Sequence, residues 1–110
     1  MIVEVVGGAD EVPEVRVADV DDLEQLHLAV GAVTDEDIDT ALQQAGMGRL
    51  VDSETGVLDV AALRAAAEPR ATAADWVRLF DGMVADAASK GWAVDDGAGL
   101  QVHVEPAASA

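Results

Sequence analysis

The apolar pattern in residues 72–90 constrains the fold of this chain more than any other feature of its sequence. Thr72-Ala73-Ala74-Asp75 is a capping sequence, and Gly91 ends the pattern. Seven apolar residues recur between them at helical spacing, on one face: Trp76, Val77, Leu79, Phe80, Met83, Val84 and Ala87. Two of the chain's three aromatic residues lie on this face. We therefore expect helix 72–90 to be the main packing element, with Trp76, Leu79, Phe80 and Met83 buried against a sheet.

Three shorter helices are expected before it. Thr34 caps a helix over residues 34–45, and Asp59 caps an Ala-rich helix over residues 59–68. In residues 20–30, five side chains fall within one arc of about 120° and favour a third helix: Val20, Leu23, Leu26, His27 and Val30. Residues 26–30 also fit a strand, and the sequence leaves that choice open.

Strand patterns stand at both ends of the chain. Residues 2–6 are β-branched and short, and residues 15–17 fit a second strand antiparallel to the first. Residues 92–94 and 100–104 flank a Gly-containing loop, which predicts a hairpin. A further short hairpin is predicted around the turn 52–56.

These elements predict an α+β fold. We expect a small antiparallel sheet, formed by the N-terminal strands and the C-terminal hairpin, packed on about four helices. A chain of 110 residues with 51% hydrophobic residues is sufficient for one packed domain. We place that acidic domain at residues 1–105 and expect residues 106–110 to be a disordered tail.

Net charge argues against two classes of ligand. The chain carries 22 acidic and 6 basic residues, a net charge of −16, which repels phosphate backbones and anionic lipid surfaces. Helices 34–45 and 59–68 with the final hairpin fit a winged-helix regulator, which we keep as an alternative. Against it, the stretch between the helices is too long for a tight turn, and only Arg64 and Arg70 offer contacts to phosphate.

The residue types that are missing also restrict the chemistry. Without cysteine there is no disulfide, thiolate nucleophile or zinc–sulfur site. No apolar run reaches the roughly 20 residues of a membrane span, and the N-terminus lacks a basic region, so we expect a cytoplasmic protein. The bias toward Ala, Val, Gly and Asp is typical of a GC-rich, bacterial genome.

Candidate catalytic groups are few, and we expect no catalysis. The two imidazoles belong to His27, on an apolar face, and His103, on the polar face of a predicted strand. No serine lies in a Gly-x-Ser-x-Gly elbow, and Gly46-Met47-Gly48 lacks the remaining residues of a phosphate-binding loop. An EF-hand count from Asp52 fails, because Leu63 stands at position 12. The sequence predicts no metal and no cofactor.

The first half of the chain holds the strongest indication of a partner. Between Asp10 and Asp39 there are 11 acidic residues and one basic residue, Arg16. Two clusters at the starts of predicted helices make a candidate surface for a basic protein partner: Asp19, Asp21, Asp22, Glu24, Asp35, Glu36, Asp37 and Asp39. The prediction is therefore an interaction or accessory module, and solvation with helix capping is the alternative explanation of the acids.

A pocket between the sheet and helix 72–90 is the other functional hypothesis. It would make the chain a small-molecule-binding protein or an enzyme, with candidate lining residues Trp76, Phe80, Trp92 and His27. Catalysis would require His27 or His103 beside a carboxylate in that pocket. The sequence leaves the oligomeric state open.

Overall fold

A computed structural model of the chain describes residues 1–7, 13–24, 26–31 and 33–106. Seven strands within these residues form one sheet: β1 (Ile2–Val6), β2 (Glu14–Ala18), β3 (His27–Val30), β4 (Gly48–Asp52), β5 (Thr55–Asp59), β6 (Ala93–Val94) and β7 (Gly99–Pro106). The order across the sheet is β2-β1-β3-β7-β5-β4, and β6 pairs with β7 beside this path.

The sheet is mixed, and it curls into a half-barrel. β3 runs parallel to both of its neighbours, β1 and β7, whereas the other pairings are antiparallel. The predicted small antiparallel sheet is therefore wrong. The N-terminal strands do not pair with the C-terminal hairpin, because β3 lies between β1 and β7.

The source of this error is the segment 20–30, which is not a helix. Asp19 takes a positive φ of 50°, and turns follow up to residue 24 before β3 begins at His27. Leu28 and Ala29 point to opposite faces of β3, and both are buried. Parallel partners on both edges place β3 inside the sheet, where residues on both faces can be buried, whereas a helix in this segment would bury only one stripe.

In the part of the chain that the structure describes, three α-helices, not four, accompany the sheet: α1 (Asp35–Gln44), α2 (Val60–Ala67) and α3 (Trp76–Ser89). Two single turns of 3₁₀ helix lie at Glu68–Arg70 and Asp95–Gly97. The predicted caps of α1 and α2 are confirmed, since Thr34 Oγ1 accepts from Asp37 N at 3.2 Å and Asp59 Oδ2 accepts from Ala62 N at 2.9 Å. The β4–β5 hairpin separates α1 from α2, so the two helices do not form a helix-turn-helix pair.

The main helix begins later than predicted. Thr72 does not cap it, because the Thr72 hydroxyl instead donates to Asp21 Oδ2 at 2.7 Å. Asp75 occupies the N-cap position without a side-chain capping bond, and α3 starts at Trp76.

The core lies between the helices and one face of the curled sheet. Its largest side chains include Phe80 and Leu28, both essentially fully buried, and the Phe80 ring stacks on Trp76 at 5.0 Å. The predicted burial of Trp76 and Phe80 is confirmed. That of Leu79 is wrong, because Leu79 is 45% exposed, and Met83 is only partly buried.

The local hairpins agree with the sequence. β1 pairs with β2, β4 with β5, and β6 with β7, all in antiparallel register. The predicted loop between β1 and β2 falls mostly on residues 8–12, outside the described residues. At the other end, Pro106 pairs with Val30 as the last residue of β7, and residues 107–110 of the predicted tail lie outside the described part of the chain.

Candidate functional site

A break in the sheet lies along one edge of β7. β5 pairs with residues 99–103 along one edge of β7. β3 and β6 therefore share the other edge of β7. β6 pairs with residues 99–100 and β3 with residues 104–106. Among the described strands, none pairs with residues 102–103 on this edge.

The break opens into a cleft of about 840 Å³. One side of the cleft is the β7 segment 100–103, and Thr55 of β5 lies beside it. Leu26, just before β3, and Trp92, just before β6, stand at the two ends of the break. The cleft therefore lies where two strands leave the sheet.

A line of side chains on α3 forms the second wall. Leu79, Met83, Asp86 and Lys90 are four, three and four residues apart, so they follow one another along the helix. Trp76 and Phe80 form the centre of the apolar stripe of α3 and are buried in the core. The line of cleft residues runs along one side of that stripe. That position explains why Leu79 stays exposed although it shares the apolar face.

The third wall comprises residues 21–24 and Leu26, and hydrogen bonds connect it to α3 and the turn before α3. Asp21 accepts hydrogen bonds from the Thr72 hydroxyl at 2.7 Å and from the Thr72 and Ala73 N–H groups at 3.0 and 3.2 Å. The Thr72 hydroxyl, followed by these N–H groups, lowers the pKa of the Asp21 carboxyl below its ordinary value. Trp76 Nε1 also donates to the Val20 carbonyl at 2.6 Å. These hydrogen bonds connect Asp21 and the preceding Val20 to α3 and to the turn before it.

Charge in the cleft is mostly negative. Four carboxylates line it, from Asp21, Asp22, Glu24 and Asp86, against the single ammonium group of Lys90. That ammonium group already has partners: Lys90 Nζ lies 3.0 Å from Asp86 Oδ2 and 5.1 Å from the centroid of the Trp92 ring. The carboxylates of Asp22 and Glu24, both exposed, stand across the cleft from α3.

The apolar part of the lining comes from all three walls. It comprises Leu23, Leu26, Leu79, Met83, Ala87, Trp92, Leu100 and Val102. Leu79 and Trp92 are each 45% exposed and are two of the three large apolar side chains that stand out from the described surface. A concave site with apolar walls and a few polar groups is typical of ligand binding.

The two histidines lie in different environments. His27 and Glu105 share the face of the sheet opposite to Leu28, with His27 Nε2 3.5 Å from Glu105 Oε2, and neither lines the cleft. His103 lines the cleft, but it forms no ion pair with any described residue. The structure thus does not place a histidine–carboxylate pair in the cleft.

The structure separates the two predicted acidic clusters. The first lies beside the start of β1, where the Met1 amino group donates to the Asp22 carbonyl. The second cluster lies at the start of α1. This helix follows Val30 of β3, which pairs with Val5 near the end of β1. The intervening strand length is about 10 Å, at 3.3 Å per residue, so the clusters lie at opposite ends of strands β1 and β3.

Members of each cluster have different roles. Asp21, Asp22 and Glu24 line the cleft, and Asp19 precedes them in the turn. In the second cluster, Asp35, Glu36 and Asp37 form the exposed acidic first turn of α1. Asp39 there holds β4, since its carboxylate accepts from Leu50 N at 2.9 Å.

Of the four pocket candidates, only Trp92 lines the cleft. Trp76 and Phe80 are 2% and 1% exposed and belong to the core. His27 lies in β3 beside Glu105, outside the cleft.

The described residues contain no cluster of three or more His, Cys, Asp or Glu side chains that could hold a metal ion. None of the helices in the described part of the chain is long and apolar enough to cross a membrane. Comparison of the chain with protein family models, curated proteins and solved structures finds no match.

Sequence reasoning missed the apolar cleft residues on α3 and in the segment 21–26. One signal was present: the apolar stripe of helix 72–90 covers an arc of about 160° at 100° per residue. That arc is wider than the strip that Trp76, Phe80 and Ala87 bury. The unburied flank, Leu79 and Met83, is the part that lines the cleft.

Proposed function

We propose that this chain is a binding module without catalysis of its own, and that its cleft takes an apolar segment of a partner protein that carries Arg or Lys. The observation that carries the proposal is the combination of exposed apolar walls with a net negative rim in one concave site. Neither feature alone would specify a ligand.

The apolar walls support a ligand with aliphatic side chains. Leu79 and Trp92 are half-exposed in the cleft, and Met83 lines it on α3 together with Leu79. Burial of apolar surface contributes about 25 cal/mol per Å². A leucine or valine side chain between these walls would therefore bind favourably.

The rim supports a positive charge on that ligand. Glu24 is exposed and has no cationic partner among the described ion pairs, whereas Asp22 lies near the Met1 ammonium group and Lys90 is paired with Asp86. The net charge of −16 extends the same attraction over a longer range. A partner with basic residues next to apolar ones complements both features.

The test is a calorimetric titration of the chain with the peptide acetyl-Arg-Leu-Val-Leu-Arg-amide at low ionic strength. We expect saturable binding with a Kd below about 0.1 mM. The matched peptide acetyl-Glu-Leu-Val-Leu-Glu-amide has the same apolar core, and we expect it not to bind.

Two charge-matched variants locate the site. Asp22→Asn/Glu24→Gln/Asp86→Asn removes three carboxylates from the cleft and should weaken the basic peptide about tenfold, because two exposed carboxylates are lost and the Lys90 ammonium group loses its Asp86 partner. Asp35→Asn/Glu36→Gln/Asp37→Asn removes three carboxylates at the start of α1, at the other end of strands β1 and β3, and should change the affinity less than about twofold. Equal losses in the two variants, or no binding of the basic peptide by the unmodified chain, would refute the proposal.

A further inference from the structure

A positively charged side chain of the chain itself occupies one end of the cleft. The ammonium group of Lys90 lies 3.0 Å from Asp86 Oδ2 and 5.1 Å from the centroid of the Trp92 ring. All three residues line the cleft. An aromatic face beside a carboxylate favours a cation, because the face of the ring is negative and the carboxylate adds a full negative charge. This end of the cleft is therefore a cation site with its cation in place.

The backbone after α3 fixes the position of Trp92. Gly91 takes a positive φ of 83°, and this turn lets the Trp92 N–H donate back to the Ala87 carbonyl at 2.9 Å. The Trp92 carbonyl accepts the Gln101 N–H of β7 at 2.8 Å. Because these two bonds come from the helix and from the sheet, the backbone of Trp92 does not depend on Lys90 for its position.

The contacts that hold Lys90 over the ring are weak enough to be exchanged. The side chains of Lys90 and Asp86 are 52% and 64% exposed, and Trp92 is 45% exposed. Exposed ion pairs and exposed cation–π contacts are each of small net strength, because water competes for the charges. A ligand arginine offers both contacts with one planar guanidinium group, which stacks on aromatic faces and is less strongly hydrated than an ammonium group.

We infer that the Trp92 ring and the Asp86 carboxylate form the subsite for one arginine of the ligand, and that Lys90 is a built-in competitor which the ligand displaces. This inference rests on the proposed function and specifies one of its contacts. The exchange replaces one cation by another, so the Asp86 carboxylate stays paired. Lys90 thereby regulates affinity, because only molecules in which it has left the subsite can bind the arginine, and the apparent affinity falls by that fraction.

A single NMR signal can follow this displacement. Lys90 is the only lysine in the chain, so labelling with ¹³C-lysine marks this side chain alone. In the free chain, the ring current of Trp92 should shift the Lys90 ε-methylene signal upfield of its position in the variant Trp92→Leu. Saturation with acetyl-Arg-Leu-Val-Leu-Arg-amide should move the signal of the unmodified chain to that second position, because an arginine of the peptide takes the place of Lys90 over the ring.

Two charge-matched variants test the competition by calorimetry in about 0.1 M salt, where the Debye length is about 10 Å. Lys90→Met removes the competitor but keeps an unbranched side chain, and the basic peptide should bind about fivefold tighter. Arg78→Met removes the same charge from α3 roughly 18 Å along the helix from Lys90, and should change the affinity less than about twofold. The gain from Lys90→Met should disappear when it is combined with Trp92→Leu, which removes the ring.

The outcomes separate this inference from the proposed function. If the basic peptide binds but the Lys90 signal stays at its free position, Lys90 is not displaced, and the inference is overturned while the proposed function stands. The same conclusion follows if Lys90→Met and Arg78→Met change the affinity equally, or if the gain from Lys90→Met survives the loss of the Trp92 ring. If the unmodified chain does not bind the peptide, both are overturned.

Discussion

Trp76 Nε1 donates a hydrogen bond to the carbonyl oxygen of Val20 at 2.6 Å, across 56 residues of sequence. Trp76 is the first residue of α3, and Val20 belongs to the turns that lead into the opposite wall of the cleft. The bond is buried, and the indole ring that donates it also stacks on Phe80. One side chain thus joins the core of the domain to the geometry of its candidate site.

Replacing this tryptophan should be costly. Trp76→Phe keeps an aromatic ring but leaves the Val20 carbonyl without its donor and removes buried volume, so we expect a loss of about 2–4 kcal/mol in the free energy of unfolding. Urea denaturation measures the change. Trp92→Phe is the control, since Trp92 is 45% exposed and its contact with Lys90 is worth about 1 kcal/mol or less. Similar losses in the two variants would contradict the assignment of Trp76 to the core.

Asp21 should make the stability of the fold depend on pH. Its folded-state pKa is lowered, chiefly by the hydrogen bond from the Thr72 hydroxyl. A lowered pKa contributes stability that is present above the unfolded-state pKa, near 4, and is lost as pH falls through the folded-state value. Asp21→Asn should therefore lower the melting temperature at pH 7, and its difference from the unmodified chain should shrink toward pH 3 or below.

The Thr72 hydroxyl can be tested separately. Thr72→Val removes the first cause of the shift, so the pKa of Asp21 should rise toward its ordinary value in a titration followed by carboxyl carbon NMR. The Asp21→Asn prediction fails if the difference in melting temperature from the unmodified chain is the same at every pH. The Asp21 carboxylate would then contribute no stability through its hydrogen bonds from Thr72 and Ala73.

Alanine substitution at two glycines should change the stability of the fold in opposite directions. Gly48 has a φ of 150°, and a Cβ there would lie 1.9 Å from the Val57 carbonyl oxygen, so Gly48→Ala must displace β4 from β5. We expect a loss of about 3 kcal/mol or more. Gly82, exposed within α3, has no neighbouring atom within 4 Å of the position that an alanine methyl group would take, and Gly82→Ala should add about 0.5–1 kcal/mol. Thermal unfolding of both variants measures the contrast, and a stable Gly48→Ala protein would refute the close β4–β5 approach.

Alanine substitutions at two neighbouring residues of α3 should affect different properties, stability at the core residue and peptide affinity at the cleft residue. Phe80 is 1% exposed, so Phe80→Ala should destabilise the fold by about 3–5 kcal/mol in urea denaturation. Leu79→Ala, at a position 45% exposed, should cost less than about 1 kcal/mol and should instead weaken the basic peptide. A large stability loss for Leu79→Ala with unchanged peptide affinity would place Leu79 in the core and remove it from the cleft.

The features that the sequence by itself determined are those whose physical causes are local. The Thr34 and Asp59 caps depend on side chains that reach N–H groups three residues away, and the structure has both. The hairpins between β4 and β5 and between β6 and β7 depend on the turns that join them. Burial of Trp76 and Phe80 also follows from sequence, because they lie at the centre of the apolar stripe of α3.

The tertiary structure alone decided the features that depend on distant partners. Residues 27–30 fit a helix or a strand by pattern, and pairing with β1 and β7 selects the strand, because the two neighbours supply backbone hydrogen-bond partners along both of its edges. The same pairing makes the sheet mixed and places β3 on the edge of β7 that β6 also uses, where the break and its cleft lie. Thr72 likewise bonds with Asp21, 51 residues away, instead of capping α3. Periodicity specifies which face of an element is apolar, but it carries no information about which other element will cover that face.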